Sequence, residues 1–281
     1  MKFSLIDTHA HLNLAAFKKD REEIIERCLG EKIGVINVGT NYQTSVKAVD
    51  LAQQFSEGLW ATVGLHPLHL EETEGDRWET EEPEGVSVPA EIFDPEKYLS
   101  LIQSSSRIVA IGEIGLDYGY LPSEEEKAAA VRERQKKVLE TQFAFAEKVQ
   151  RPVIIHCRDA FPELIAFFQE RKEKNFSGVI HCFTGQWEEA RFFLEQGFYL
   201  GLNGIIFKVD LDEVISKIPL ERILAETDCP YLPPPQKKGE RNNPLNLKFI
   251  VQKIADLREI SWEKVAQATT ENAQRLFSLE E

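Results

Sequence analysis

No run of eighteen apolar residues occurs in the 281-residue chain, so nothing in it reads as a transmembrane helix. The start, MKFSLID, lacks a positive region followed by an apolar one, and no secretory signal is expected. Cysteine is sparse: Cys28, Cys157, Cys182 and Cys229, without CxxC spacing. A reduced, cytoplasmic setting is the expectation. No GxGxxG or GxxxxGK[ST] follows an apolar run, which weakens a nucleotide-binding open sheet. Positive charge is also short, with 33 Lys and Arg against 47 Asp and Glu. The usual electrostatic footprint of nucleic-acid binding is therefore missing. The deficit is local, however. Residues 71–96 hold eleven acids and one arginine, −10 of the total −14. A bound divalent cation can reverse the field of a single cleft.

Short β-rich runs recur along the length: SLID (4–7), GVINVG (34–39), LWATVGL (59–65), IVAIGEIG (108–115), PVIIHC (152–157), GVIHCF (178–183), FYLGLNG (198–204) and ILAETD (223–228). Between them lie stretches such as KDREEIIERCLGEK and SEEEKAAAVRERQKKVLETQFAFAEKVQ, with apolar residues at three- and four-residue spacing and charged faces. Strand–helix alternation repeated eight times predicts a parallel sheet. Closed on itself, that is an α/β fold of the (β/α)8 TIM-barrel type, with a doubly wound open sheet as the alternative. NPLNLKFIVQKIADLRE and SWEKVAQATTENAQRLF read as two C-terminal helices, with Pro and Ser at their starts suiting N-terminal turns. Without repeat or linker, residues 1–281 read as one domain. Residues 71–96 form an acidic insertion, read as a solvated loop with a lid over the site as the alternative.

The polar residues fall where the apolar runs end. SLIDTHAHL carries Asp7, His9 and His11 at every second position, and residues two apart on a strand share a face. His66 sits in GLHP, Glu113 in IGEIGLDY, His156 in VIIHCRDA, His181 in VIHCFTG and Asp228 in AETDCPY. Catalytic residues of a parallel barrel gather at this end of the strands. The chain has six histidines; five lie at strand ends, and His69 is three residues beyond. Any one of them alone reads as a hydrogen-bonded rim residue. Together, four imidazoles and two carboxylates are a ligand inventory for one or two divalent ions. The set suits Zn, Mn, Co or Ni, and Mg where waters are retained. Cys157, Cys182 and Cys229 each follow a candidate ligand, so alternation turns them to the helix layer as small buried groups. Asp7 is left with two readings: orienting a ligand histidine, or stabilising the strand end.

DTHAHL, GEIGLDY, IHCRDA, HCFTG and ETDCPYLPP, in that order, closely resemble the TatD family of metal-dependent deoxyribonucleases, which are amidohydrolase-like TIM-barrel enzymes. The likeness spans residue 5 to the C-terminal helices. It implies two divalent ions, Mg, Mn or Zn. His9 and His11 would hold the first, and His156 and His181 the second. Glu113 would bridge them. Asp228 would join the first and handle the proton of the attacking water. Asp228 and Glu113 are thus the implied catalytic residues. His66 and Arg158 match positions near the substrate phosphate. RNNP (241–244) resembles the family's RNEP, placing Arg241 among substrate contacts, although Asn243 stands where Glu is usual.

The implied reaction is hydrolysis of DNA phosphodiesters, from the 3′ end of single strands, in DNA repair or degradation. Two ions can hold a phosphate oxygen and activate water, Asp228 can take the proton, and Arg158 offers a planar fork. A salt bridge from Arg158 to Asp159 or a helix carboxylate is the competing reading. Asp117 reads as an outer partner of a ligand histidine. The alternative activity is that of an amidohydrolase or esterase, such as a D-aminoacyl-tRNA deacylase. A carboxylated lysine at a strand end would favour that branch, whereas Glu113 on the fourth strand favours the nuclease. An inert barrel predicts lost ligands, and none is missing. A single-stranded nucleic acid is the expected partner, with no membrane and no protein partner inferable.

Overall fold

The computed structural model describes residues 3–74, 78–79, 87–171 and 177–279. Eight parallel strands form one sheet: β1 (Leu5–Ala10), β2 (Ile33–Val38), β3 (Leu59–Val63), β6 (Ile108–Asp117), β7 (Val153–Arg158), β8 (Gly178–Ile180), β9 (Tyr199–Leu202) and β10 (Ile223–Ala225). Their spatial order follows the chain. Two further strands, β4 (Thr73–Glu74) and β5 (Ser87–Val88), make an antiparallel pair inside the acidic insertion. The edges of the large sheet meet to give a nearly closed barrel. Thr8 Oγ1 donates to Ala225 O at 3.2 Å, the Asp228 amide to His9 O at 2.8 Å, and the His11 amide to Cys229 O at 2.9 Å.

All eight expected strands are present, with β1 running three residues further than expected, so that His9 lies within it. The connections are helical: α1 (Arg21–Gly30), α2 (Tyr42–Gln53), α3 (Pro95–Gln103), α4 (Glu125–Lys148), α5 (Phe161–Gln169), α6 (Trp187–Glu195) and α7 (Asp212–Lys217). The two C-terminal helices are α8 (Leu247–Arg258) and α9 (Trp262–Phe277), the latter capped by Ser261, whose side chain accepts from the Lys264 amide.

Strand alternation divides the core in two. Leu5, Val35, Leu59, Val153, Ile180, Leu200 and Ile223 pack against the helices. Ile6, Ile36, Trp60, Ala110, Ile154, Val179, Tyr199 and Leu224 join a second buried cluster that takes at least one residue from every barrel strand. This is the interior plug that a barrel of this kind requires. In β7 and just past β8 the candidate histidines, His156 and His181, lie two residues beyond the interior residues Ile154 and Val179. In β1 the separation is three, Ile6 to His9, and in β6 alternation is already broken before Glu113, since the neighbours Val109 and Ala110 both join the interior cluster. The register shifts between Asp7 and Ala10 and between Ile111 and Ile114. Such irregularities re-aim a side chain, and here they turn His9 and Glu113 inward.

Two buried glutamines hold the rims of these strands. Gln135 of α4 accepts from the Asp117 amide at 2.8 Å and donates to Asp117 O at 3.0 Å. Gln142 does the same for Leu65 at 2.8 and 2.9 Å. Both satisfy backbone groups that the ladder has released.

Candidate metal centre

The strand ends bring six side chains together. His9 Nε2 and His11 Nε2 are 3.1 Å apart. Glu113 divides its two oxygens. Oε2 lies 3.2 Å from His9 Nε2 and 4.0 Å from His11 Nε2. Oε1 lies 2.8 Å from His156 Nδ1 and 3.7 Å from His181 Nε2. Asp228 is divided likewise, with Oδ1 3.4 Å from His11 Nε2 and Oδ2 3.9 Å from His181 Nε2. His9–His11–Glu113 and Glu113–His156–His181 each gather ligand atoms within 4.8 Å, and they share Glu113. All of the histidines and Glu113 are buried.

Most of these imidazoles are anchored on the far side. His11 Nδ1 is 3.0 Å from Val38 O. His156 Nε2 is 2.9 Å from Asp117 Oδ2. His181 Nδ1 is 2.8 Å from Glu226 Oε1. The partners of His11 and His156 are acceptors, so the anchored nitrogen of each carries a proton, while His181 Nδ1 faces the Glu226 carboxylate as an ion contact outside hydrogen-bond geometry. Each inward nitrogen offers a lone pair once it has lost its own proton. Burial opposes charge on every ring. It prevails at His9, where His181 adds to it, and holds that ring below the ordinary histidine range. Against the same burial, Glu226, Asp228 and Glu113 hold His181 up to about 10. Glu113 would be driven up by burial, yet His9, His66 and His181 hold it well below the usual carboxylate range. A buried anion ringed by imidazole nitrogens and a second carboxylate, whose lone pairs become available as the ring protons leave, is the donor chemistry of a divalent cation of the Zn, Mn or Mg type. The residues fit such an ion.

His66 lies beyond the end of β3, at the start of a 3-10 turn over Pro67–Leu70, and not at the strand end itself. Its Nδ1 accepts from the Leu68 amide at 3.2 Å, so Nε2 bears the proton, 3.6 Å from Glu113 Oε1. Burial, reinforced by His156, holds this ring well below its ordinary pKa, and it stays neutral. Arg158 is half exposed, with Nε 3.6 Å from Asp117 Oδ2. Its carboxylate partner is thus Asp117, not Asp159 or a helix residue. Arg241 stands apart: its Nη2 is 2.5 Å from Asp20 Oδ2, its Nη1 donates to Ala16 O, and its Cζ lies 4.2 Å over Phe17. Asn243, instead of holding Arg241, accepts from the Leu245 amide. Asp7 takes the second of its readings. Its carboxylate accepts from the Thr227 amide at 2.9 Å and the Thr227 hydroxyl at 2.5 Å, stitching β1 to the end of β10.

Three features were not anticipated. Glu226, the anchor of His181, is fully buried and also accepts from the Cys182 amide at 2.7 Å. A glycine on β9 makes room for it: a Cβ at Gly201 would meet Glu226 Oε2 at 2.4 Å. Two signals in the sequence pointed there, an acid two positions before Asp228 and a glycine within a strand. Cys182, expected in the helix layer, is half-buried with Sγ 3.5 Å from Asn203 Oδ1. It lies past the end of β8 with a positive φ of 45°, where strand alternation no longer applies. Third, parts of the acidic insertion are docked and not solvated. Trp78 O accepts from the Ala16 amide at 3.0 Å. Glu79 accepts from Thr40 Oγ1 at 3.2 Å and lies 3.6 Å from His69 Nε2. Glu91 accepts from the Tyr42 amide at 3.1 Å. Residues 75–77 and 80–86 of the insertion lie outside the described residues.

A parallel barrel with paired histidine–carboxylate triads at the C-terminal ends of its strands defines a metal-dependent hydrolase. The chain belongs to the TatD-related DNase family, whose model matches residues 6–278. It is accordingly a hydrolytic nuclease by family. YabD of Bacillus subtilis, named as an uncharacterized metal-dependent hydrolase, is 36% identical over 280 residues, 98% of this chain and 99% of that one. A protein of Erwinia tasmaniensis named 3′-5′ ssDNA/RNA exonuclease TatD is 33% identical over 284 residues, 98% of this chain and all of that one. Among solved structures, the TatD homologue YjjV of Escherichia coli superposes with a TM-score of 0.81 at 27% identity over the whole of both chains. A TatD-family hydrolase of Entamoeba histolytica shares the fold, with a TM-score of 0.77 at 22% identity. Among the described residues no helix is long and apolar enough to cross a membrane.

Proposed function

We propose that the protein removes nucleotides from the 3′ end of single-stranded DNA, using two divalent ions. His9, His11 and Asp228 would hold one ion, His156 and His181 the other, and Glu113 would join both. The observation that carries this reading is the division of the Glu113 oxygens between two triads. The direction and strandedness rest on what the Erwinia relative is named to do. The four free cysteines support a reducing, cytoplasmic setting.

Divalent ions, when bound, supply Lewis-acid charge to a phosphate oxygen and lower the pKa of a water. The remaining work falls to this chain's own groups. Burial would raise the Asp228 pKa, but His181 and His11 hold it below the usual range. It is therefore ionised at neutral pH, more open than Glu113, and ready to take the proton of the attacking water. The neutral His66 presents an N–H to a phosphate oxygen, and Arg158 offers its fork to another. Arg241, tied to Asp20, is a substrate contact only if a longer strand reaches the turn after β1. The deacylase alternative finds no support in the family.

The test is degradation of end-labelled single-stranded DNA and RNA with Mg or Mn, with EDTA, and with Glu113→Ala in parallel. Metal-dependent shortening from the 3′ end, lost in the variant, is expected. Intact strands with metal-loaded protein would overturn the nuclease reading.

A further inference from the structure

Among the described residues three large apolar side chains are exposed, and one of them, Tyr120, stands on the rim of the barrel mouth. It is 69% exposed and follows β6 by three residues. The guanidinium carbon of Arg158 lies 5.2 Å from its ring centroid. Arg158 is itself placed from below: its Nε faces Asp117 Oδ2 at 3.6 Å, and Asp117 Oδ2 is 2.9 Å from His156 Nε2. The loop between them is shaped for this. The Gly119 amide donates to Asp117 Oδ1 at 3.0 Å, and a Cβ at Gly119 would meet Arg158 Cδ at 2.7 Å. Glycine lets the arginine stem lie across the loop beneath the tyrosine. A continuous path of contacts therefore runs from the metal-facing His156 through Asp117 and Arg158 to an exposed aromatic ring.

An exposed ring beside a cation at the mouth of a nuclease site has a specific use. Every base has a π face, and aromatic rings on single-strand-binding surfaces stack bases irrespective of sequence while cations track the phosphates. We propose that Tyr120 is the base-stacking platform of this enzyme, receiving the base of the nucleotide next to the scissile phosphate while Arg158 takes that phosphate. The proposal rests on the nuclease reading and adds to it a source of single-strand selectivity. A base inside a duplex is stacked on both faces, and at a duplex end it is still held in its pair, so it must be unpaired before it can turn onto the ring.

The test compares KM and kcat for wild type, Tyr120→Ala and Tyr120→Trp on single-stranded DNA, with and without an abasic residue next to the terminal phosphodiester. Stacking contributes enough that losing it should raise KM roughly five- to a hundredfold in Tyr120→Ala, with kcat little changed. Tyr120→Trp should restore KM. In wild type the abasic substrate should show the same weakening, and in Tyr120→Ala the normal and abasic substrates should become equivalent. An unchanged KM in Tyr120→Ala, or an equal rise on both substrates, overturns the platform while leaving the nuclease intact. Failure of wild type to degrade any nucleic acid removes the nuclease reading and the platform with it.

Discussion

Replacing Glu226 by Gln tests whether the walls of the metal centre, and not only its ligands, set its affinity. The substitution keeps the shape and an acceptor oxygen for the Cys182 amide and for His181 Nδ1. It removes one buried negative charge 2.8 Å from the ring. At a separation of about 4 Å and an effective dielectric constant near 20, one unit charge acts on another with roughly 4 kcal/mol. That is an upper bound on what the carboxylate adds to a cation held on the far side of the ring. A second effect opposes it. With Glu226 and its neighbours holding His181 up to about 10, the proton must leave before an ion binds, and the variant lowers that cost. The net loss should match what outer partners of ligating histidines are generally worth, about 10- to 100-fold in affinity.

Two measurements check this. Calorimetric titration of Mn or Zn into metal-free protein should show the weakened dissociation constant directly. The metal concentration for half-maximal activity should rise by the same factor, with turnover at saturating metal recovering to within a few fold. Circular dichroism and the melting temperature of the metal-free variant should be close to wild type, because no volume is lost. An unchanged affinity in a folded variant would refute the assignment of Glu226 as the group that orients His181.

Gly201→Ala should reproduce much of this loss without touching a charge, since its Cβ would meet Glu226 Oε2 at 2.4 Å and Cδ at 2.7 Å; a metal titration identical to wild type would show that Glu226 can retreat freely. Metal removal should lower the melting temperature, because an ion present at 100 times its dissociation constant stabilises by about 2.7 kcal/mol, or several degrees for a chain of this size; no shift with EDTA would mean that the site does not bind tightly. The docked insertion should respond to pH. His69 is raised by Glu79 against burial, so its contribution is full below its ordinary 6.5 and fades as pH rises through the raised value. Glu79 is lowered by His69 against burial, so its contribution is full above its ordinary 4.5 and fades as pH falls through the lowered value. Exchange protection of the Ala16 amide, which donates to Trp78 O, should therefore fall on the alkaline side after correction for intrinsic rates. Glu79→Gln should abolish that dependence; persistence in the variant would locate the switch elsewhere.

The barrel was legible because buried parallel strands read as unbroken apolar runs, and here each run alternates with a charged, helically spaced segment. The six side chains now gathered at the mouth were nameable for a related reason: a polar residue at the end of a buried run stands out. What alternation alone could not supply was the facing of His9 and Glu113. Counting by two from Ile6 turns His9 outward, and the register shift in β1 brings it in; in β6, where Val109 and Ala110 both join the interior cluster and the register shifts, alternation assigns Glu113 no single facing. Those shifts depend on pairing with neighbouring strands more than twenty residues away, which no local pattern records. The docking of Trp78 and Glu79 was illegible for the same reason, since it joins an aperiodic acidic stretch to Ala16, Thr40 and His69.

The partners behind the histidines show how the fold would divide the work of holding a metal. His11 is oriented by a backbone carbonyl of β2, His156 by Asp117 at the end of β6, and His181 by Glu226 just past β10. Each of these partners comes from a different strand, so the inward nitrogens are aimed by the barrel as a whole. His9 lacks even the carboxylate contact that faces His181 Nδ1. Its Nδ1 is buried without a hydrogen-bond partner, and its ring stacks on His181 with centroids 3.5 Å apart. Its orientation therefore comes from the irregularity in β1 and from a neighbouring ring, not from an acceptor that selects its tautomer. Burial and the adjacent His181 keep it neutral, which is the form a cation needs. The same crowding that would penalise a second positive imidazole thus leaves a lone pair free for the ion that replaces it.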